Sequence, residues 1–227
     1  MGDQVTKASF EILRRRPFTL AEMVVDGVVH VFGLAVAIGA GAVLIALAML
    51  VTAPEAVPGL IVYVATLVVV LGVSLAYNMW PITPVKHWLA RFDQAAIFLF
   101  IAGSYTPFLA TLGGTTHGVL LTTFVWSASL VGVALKLLVP ERFGRLAILL
   151  YLAIGWSGVT VFQALAQTLP ASTLWLLLAG GITYSLGIIF HLWEQLKFQN
   201  ALWHVFVVAG ASLHLWAVID CMVIHRL

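Results

Sequence analysis

Residues 22–50 read EMVVDGVVHVFGLAVAIGAGAVLIALAML, and after Glu22 the only ionisable groups in the run are Asp26 and His30. A helix rising 1.5 Å per residue crosses a hydrocarbon layer of about 30 Å in about 20 residues, so this stretch can span a membrane. Six more apolar stretches follow, at roughly 58–80, 93–112, 117–138, 146–167, 172–193 and 200–224. Short breaks with turn chemistry separate them, among them Thr52-Ala53-Pro54-Glu55, Pro81-Ile82-Thr83-Pro84, Gly113-Gly114, Pro140-Glu141-Arg142 and Thr168-Leu169-Pro170. The pattern predicts an all-α membrane protein with seven transmembrane helices.

Composition agrees. Of 227 residues, 62% are hydrophobic and 9% are charged, and the mean hydropathy is +1.08. A soluble domain carries about 25% charged residues, which excludes an ordinary globular protein. No gap between spans has room for a further domain, so the reading is a cytoplasmic tail at 1–19 and one membrane domain at 20–227. Lys plus Arg total 11 and Asp plus Glu total 9, a balance that argues against a nucleic acid partner. The single cysteine, Cys221, excludes an internal disulfide framework. No apolar h-region precedes the first span, so no cleavable signal peptide is expected. Thr19-Leu20-Ala21-Glu22 fits a capping box that starts the first helix. Before it, Phe10 to Arg16 reads as a charged tail that sets topology, with a helix lying flat on the inner leaflet as the alternative.

Basic residues orient the bundle. Lys7, Arg14, Arg15, Arg16, Lys86, Arg91, Lys136, Arg142, Arg145 and Lys197 fall on one side, leaving only Arg226 on the other. The positive-inside rule then places the N-terminus inside and, after seven crossings, the C-terminus outside. Trp80, Trp88, Trp193 and Trp203 lie near span ends and read as an interfacial belt.

Ionisable groups inside a span are costly and point by default to function or to a buried pair. Three helices each carry a polar pair four residues apart, a spacing that puts both side chains on one face: Asp26 with His30, Ser74 with Asn78, and Asn200 with His204. Asp93 adds a carboxylate at the predicted start of the third span. With the orientation above, all seven groups fall near inner ends, which predicts a polar cavity facing the cytoplasm. Each also has a structural role to fill. Asp93 suits a helix cap, Ser74 a bond to its own helix, and Asp26 with His30 a buried pair. His204 needs a partner for its ring nitrogen, and His214 reads as a helix-packing hydrogen-bonder. Asp220 is the main acidic residue of the outer half, and His87, His117 and His225 read as loop or terminal residues.

These residues carry a family pattern. Ser74-Leu75-Ala76-Tyr77-Asn78 resembles the S-x-x-x-H motif of the hemolysin III and adiponectin receptor (progestin and adipoQ receptor) family. Arg91-Phe92-Asp93-Gln94 followed by Ile101-Ala102-Gly103-Ser104-Tyr105-Thr106-Pro107-Phe108 is similar to its third-helix signature. His191-Leu192-Trp193-Glu194, Lys197-Phe198 and Asn200-Ala201-Leu202-Trp203-His204 resemble its segment between the sixth and seventh helices, where the usual form is H-x-x-x-H. The resemblance implies seven helices and a zinc held by three histidines, with an acidic residue of the third helix holding a water. By position these are Asn78, Asn200, His204 and Asp93, so two of the three implied zinc ligands are asparagine here. Gln94 stands where many bacterial relatives have histidine.

An amide oxygen is a poor substitute for an imidazole on zinc, so the departures remove most of the implied affinity. Two readings of the cofactor stay open. One is a weak zinc on His204 and Asp93 with His30 or Asp26 completing the shell; the other is a hydrogen-bonded cluster without metal, in which the two amides bridge Ser74, Asp93 and His204. The site residues are accordingly Asp93 and Ser74 as candidate catalytic groups, Asn78, Asn200, His30 and Asp26 as candidate ligand-binding groups, and His204 as a weak metal ligand. The function expected is binding of a membrane lipid or small ligand. Alternatives implied by the resemblance are a zinc-dependent lipid amide or ester hydrolase and a pore-forming cytolytic activity. A bacterial inner membrane is the expected location.

Overall fold

The computed structural model describes residues 18–139 and 144–226. The tail read at Phe10 to Arg16 and the break at Pro140-Glu141-Arg142 lie outside them. Among the described residues the chain is all helical, and seven helical stretches are long and apolar enough to cross a membrane. In chain order the α-helices are α1 (Leu20–Val51), α2 (Val57–Met79), α3 (Pro84–Thr111), α4 (Thr116–Leu138), α5 (Gly144–Gly155), α6 (Phe162–Thr168), α7 (Ala171–Leu192) and α8 (Gln199–Met222). The chain is a multi-pass integral membrane protein.

α1 starts where its sequence signal lies. The Thr19 backbone N–H donates to Glu22 Oε2 at 2.8 Å and Glu22 N–H donates to Thr19 Oγ1 at 3.3 Å, a complete capping box. The third helix departs from the reading. It starts at Pro84, not near residue 93, because proline with its fixed φ is favoured in the first turn and the polar segment Lys86 to Arg91 continues as helix. Asp93 is therefore well inside α3 and cannot cap it, and His87 belongs to the first turns of a helix, not to a loop.

The fifth span is a second departure. α5 and α6 are separated by a tight 3-10 turn over Ser157–Val161, where the sequence predicts one continuous helix. Gly155 and Gly158 weaken the helix here. Tyr105 of α3 satisfies the freed backbone, donating to the Gly155 carbonyl at 2.6 Å and accepting from Gly158 N–H at 2.9 Å. Irregular backbone at membrane depth is tolerated where such partners exist.

Neighbouring helices pack in the order α4, α3, α2, α1, α8, α7, while α5 rests against α3 and α4. The first and last spans are thus neighbours. Leu44, Leu60, Tyr63, Leu67, Phe98, Val125, Ala217 and Val218 fill the core. Small residues let backbones approach: a methyl group at Gly103 would run into the Thr66 hydroxyl, and one at Gly132 into the Phe98 ring. Outward faces carry exposed Leu20, Val24, Val28 and Val31 on α1 alone, as a lipid-facing surface requires. At the end remote from the start of α1, Asp220 accepts from Ser172 Oγ at 2.7 Å and Thr173 Oγ1 at 2.6 Å, and the Thr52 hydroxyl donates to the Met222 carbonyl. Trp80, Trp88 and Trp193 are exposed, whereas Trp203 is half-buried and packs on the His191 ring.

Candidate functional site

The polar pairs of α1, α2 and α8 meet at the end of the bundle where α1 begins. The Asp26 carboxylate is the hub. His204 Nδ1 lies 2.6 Å from Asp26 Oδ1, and Asn200 Nδ2 donates to Asp26 Oδ2 at 2.8 Å. Asn200 Nδ2 also donates to Asn78 Oδ1 at 2.9 Å, and Asn78 Nδ2 donates to the Ser74 carbonyl at 2.9 Å. His30 bridges the other way, with Nδ1 2.8 Å from the Asp26 carbonyl and Nε2 3.2 Å from Ser74 Oγ. The rings of His30 and His204 meet edge to face with centroids 4.1 Å apart. The Asp93 carboxylate lies beside the Ser74 hydroxyl and within electrostatic reach of His204 and Asp26.

All seven residues singled out from the sequence therefore belong to one network across four helices. Its wiring differs from the expectation. The partner of His204 is Asp26, not an amide or Asp93, and Asn200 bridges Asp26 to Asn78. Asp26, His30, Ser74 and His204 are buried, at 4%, 1%, 9% and 7% exposure, so the charge is withdrawn from water and its partners matter. His214 is a packing residue, its Nε2 donating to the Leu177 carbonyl at 3.3 Å and its ring meeting Tyr184.

A cavity of about 2310 Å³ opens beside the network. Asp26, Asn78, Asp93, Asn200 and His204 line its polar end, and Ile101, Leu152, Leu174 and Leu178 line its apolar length towards His214. His204 spends Nδ1 on Asp26 and keeps Nε2 for whatever enters.

Three contributors escaped the sequence reading. Glu22, beyond its capping role, accepts from the Phe198 backbone N–H at 2.8 Å and so ties the start of α1 to the start of α8. Lys136, read only as a topology charge, is buried at 2% exposure, lines the cavity and donates to Gln94 Oε1 at 2.7 Å. Tyr151 donates to the Gln94 carbonyl at 2.7 Å. A lysine two residues before the end of an apolar helix is the one signal that was available for the second of these.

Residues 18–215 match the family model described as Haemolysin-III related. The chain belongs to that family. Among haemolysin-III relatives, it is 33% identical to the Hemolysin-3 homolog of Bacillus subtilis (strain 168) over 203 residues, 89% of this chain and 95% of that one. It is 41% identical to Hemolysin-3 of Bacillus cereus over 128 residues, a stretch that spans 56% of this chain and 58% of that protein's length. The human monocyte to macrophage differentiation factor is 30% identical over 137 residues, 59% of this chain and 56% of that protein.

The zinc implied by the haemolysin-III and adiponectin receptor resemblance does not fit its own positions here. Asn78 Oδ1 is turned to Asn200, and the Asn200 amide nitrogen is shared between Asn78 and Asp26. Both side chains are bonded to each other, and neither is a favoured zinc ligand. A different group has suitable ligand types: Asp26, His30 and His204 each offer one ligand atom within 4.8 Å of the others and could hold a metal ion.

Proposed function

We propose that this haemolysin-III related protein binds a membrane amphiphile, with the polar head in the Asp26–His204 network and the chain in the adjoining cavity. The carrying observation is the continuity of that cavity, about 2310 Å³ in volume, from Asn78, Asp93, Asn200 and His204 to Leu174 and His214. Small-molecule pockets are usually roughly 300–1,000 Å³, so this space suits a long-chain molecule. Its walls match one: hydrogen-bonding groups at one end and branched aliphatic side chains beyond. By the positive-inside rule the head-group end faces the cytoplasm, and two relatives from Bacillus favour a bacterial plasma membrane.

The test is native mass spectrometry of the full chain purified in mild detergent, followed by identification of co-purified lipid. Retention of a lipid that is displaced in Ile101→Trp or Leu178→Trp, which fill the apolar length, supports the reading. A lipid-free protein that also fails to take up added single-chain amphiphiles overturns it.

A second reading, hydrolysis of an amide or ester in the bound lipid, is favoured by the 2.6 Å contact of Asp26 with His204 at the cavity wall. A carboxylate on Nδ1 orients an imidazole and leaves Nε2 to take a proton from water. Of the catalytic candidates, Ser74 is reached from Asp26 through His30, and Asp93 lies beside Ser74. Release of fatty acid from labelled lipid in liposomes, abolished by His204→Gln, checks this reading. Pore formation, suggested by the relatives' name, has less in its favour: the exposed face of α1 is apolar and suits lipid more than a water-filled lumen.

A further inference from the structure

We propose that Asp26, His30 and His204 bind one divalent transition metal ion between α1 and α8, a donor set displaced from the α2 and α8 positions that the family resemblance implies. All three residues are buried, and one ligand atom from each lies within 4.8 Å of the others. Two imidazoles and a carboxylate are ligand types that zinc-class ions accept, whereas an amide is not.

The His30 imidazole is already held as a metal-binding imidazole is held. A backbone carbonyl only accepts, so His30 carries its proton on Nδ1, donates it to the Asp26 carbonyl, and leaves a lone pair on Nε2. Anchoring the far ring nitrogen on a carbonyl is how proteins fix the orientation and tautomer of a ligating histidine. His204 Nδ1 lies 2.6 Å from Asp26 Oδ1, so these two atoms already face each other, and an ion bound between them replaces the Nδ1 proton.

Charge points the same way. The network contains two carboxylates, Asp26 and Asp93, and among the described residues neither reaches a lysine or arginine; their contacts are His204, His30, Asn200 and Ser74. Buried charges are stable when paired or when they coordinate a metal. One dication balances two carboxylates. Asp26 and His204 both line the cavity, which supplies an entry path from the membrane end.

The experiment uses the full chain in detergent, stripped of metal and titrated with Co²⁺, whose visible bands report geometry, then with Zn²⁺ in competition. One Co²⁺ per chain, displaced by Zn²⁺, is expected. His30→Gln and His204→Gln each weaken Co²⁺ by more than about 100-fold, beyond the 10–100-fold typical of losing an outer partner. Asn78→Ala, which removes an implied family position, changes affinity by less than about threefold on the same scale. Pulsed EPR of the Cu²⁺-loaded native chain counts bound imidazoles without any variant and should find two. Failure of the folded native chain to bind Co²⁺, binding that survives His30→Gln, or a single imidazole in the EPR spectrum overturns the site. Lipid retention by the same preparations is a separate readout, so loss of the metal site leaves the lipid reading standing.

Discussion

Asp26 Oδ1 lies 2.6 Å from His204 Nδ1, joining the first and last spans across 178 positions of sequence. Removing one partner of this buried hydrogen-bonded pair costs about 1–3 kcal/mol, and more when the group left unsatisfied is charged, as the Asp26 carboxylate is. His204→Ala should therefore lower the melting temperature in detergent by on the order of 10 °C for a chain of this size. Asp26→Asn in the same background should restore part of the loss by removing the stranded charge. Thermal unfolding of the two single variants and the double variant measures the coupling. Strictly additive effects would show that the contact does not hold α1 to α8.

The Asn78–Asn200 bond occupies the positions where the family resemblance implies imidazoles. Changing both to His creates a three-imidazole set with His204. After dialysis without added metal, that variant should retain far more zinc than the native chain, and its binding should no longer depend on His30. Metal analysis of both proteins, with and without His30→Gln, decides it. Equal retention would mean that the amides never limited zinc binding.

Phe198 has φ 58° and ψ 20°, a left-handed conformation costly for a side chain of this size, and its backbone N–H is held by Glu22 Oε1 at 2.8 Å. Glu22→Ala removes that acceptor and the capping box together. The expected loss is about 1–3 kcal/mol for the orphaned donor and about 1 kcal/mol for the cap. Phe198→Gly in that background should recover some of the loss, since glycine adopts this conformation freely. Denaturation in detergent with increasing SDS is the measurement; no recovery would place the effect of Glu22 in the cap alone.

Ten of eleven basic residues lie on the side assigned to the cytoplasm. Reporter fusions should place residue 1 and the turn at Pro81–Pro84 inside the cell and the C-terminus outside. A cytoplasmic C-terminus would reverse the facing of the polar network.

The spans and the polar residues were legible because both signals are local. An apolar run of twenty residues shows itself, and a four-residue spacing declares a shared helix face. Asp93 was misplaced because the charged turns before it read as a loop, while Pro84 and the packing against α2 make them helix. The break in α5 and α6 left little trace, since its stabilising partner, Tyr105, lies about 50 residues away. Lys136 reads only as a topology charge at the end of its span because nothing in its own segment announces Gln94, 42 positions earlier. The choice of Asp26 as the partner of His204 was likewise out of reach, because it depends on α1 and α8 being neighbours.

That neighbourhood sets a timetable for biogenesis. Chains emerge at roughly 5–20 residues per second, so Asp26 enters the bilayer on the order of ten to forty seconds before His204 is made. During that interval α1 carries a carboxylate and an imidazole without the α8 groups that later satisfy them. Insertion of the last helix completes the polar end of the cavity in one step. A chain that stops short of α8 leaves the Asp26 carboxylate without Asn200 and His204, an uncompensated charge within a spanning helix.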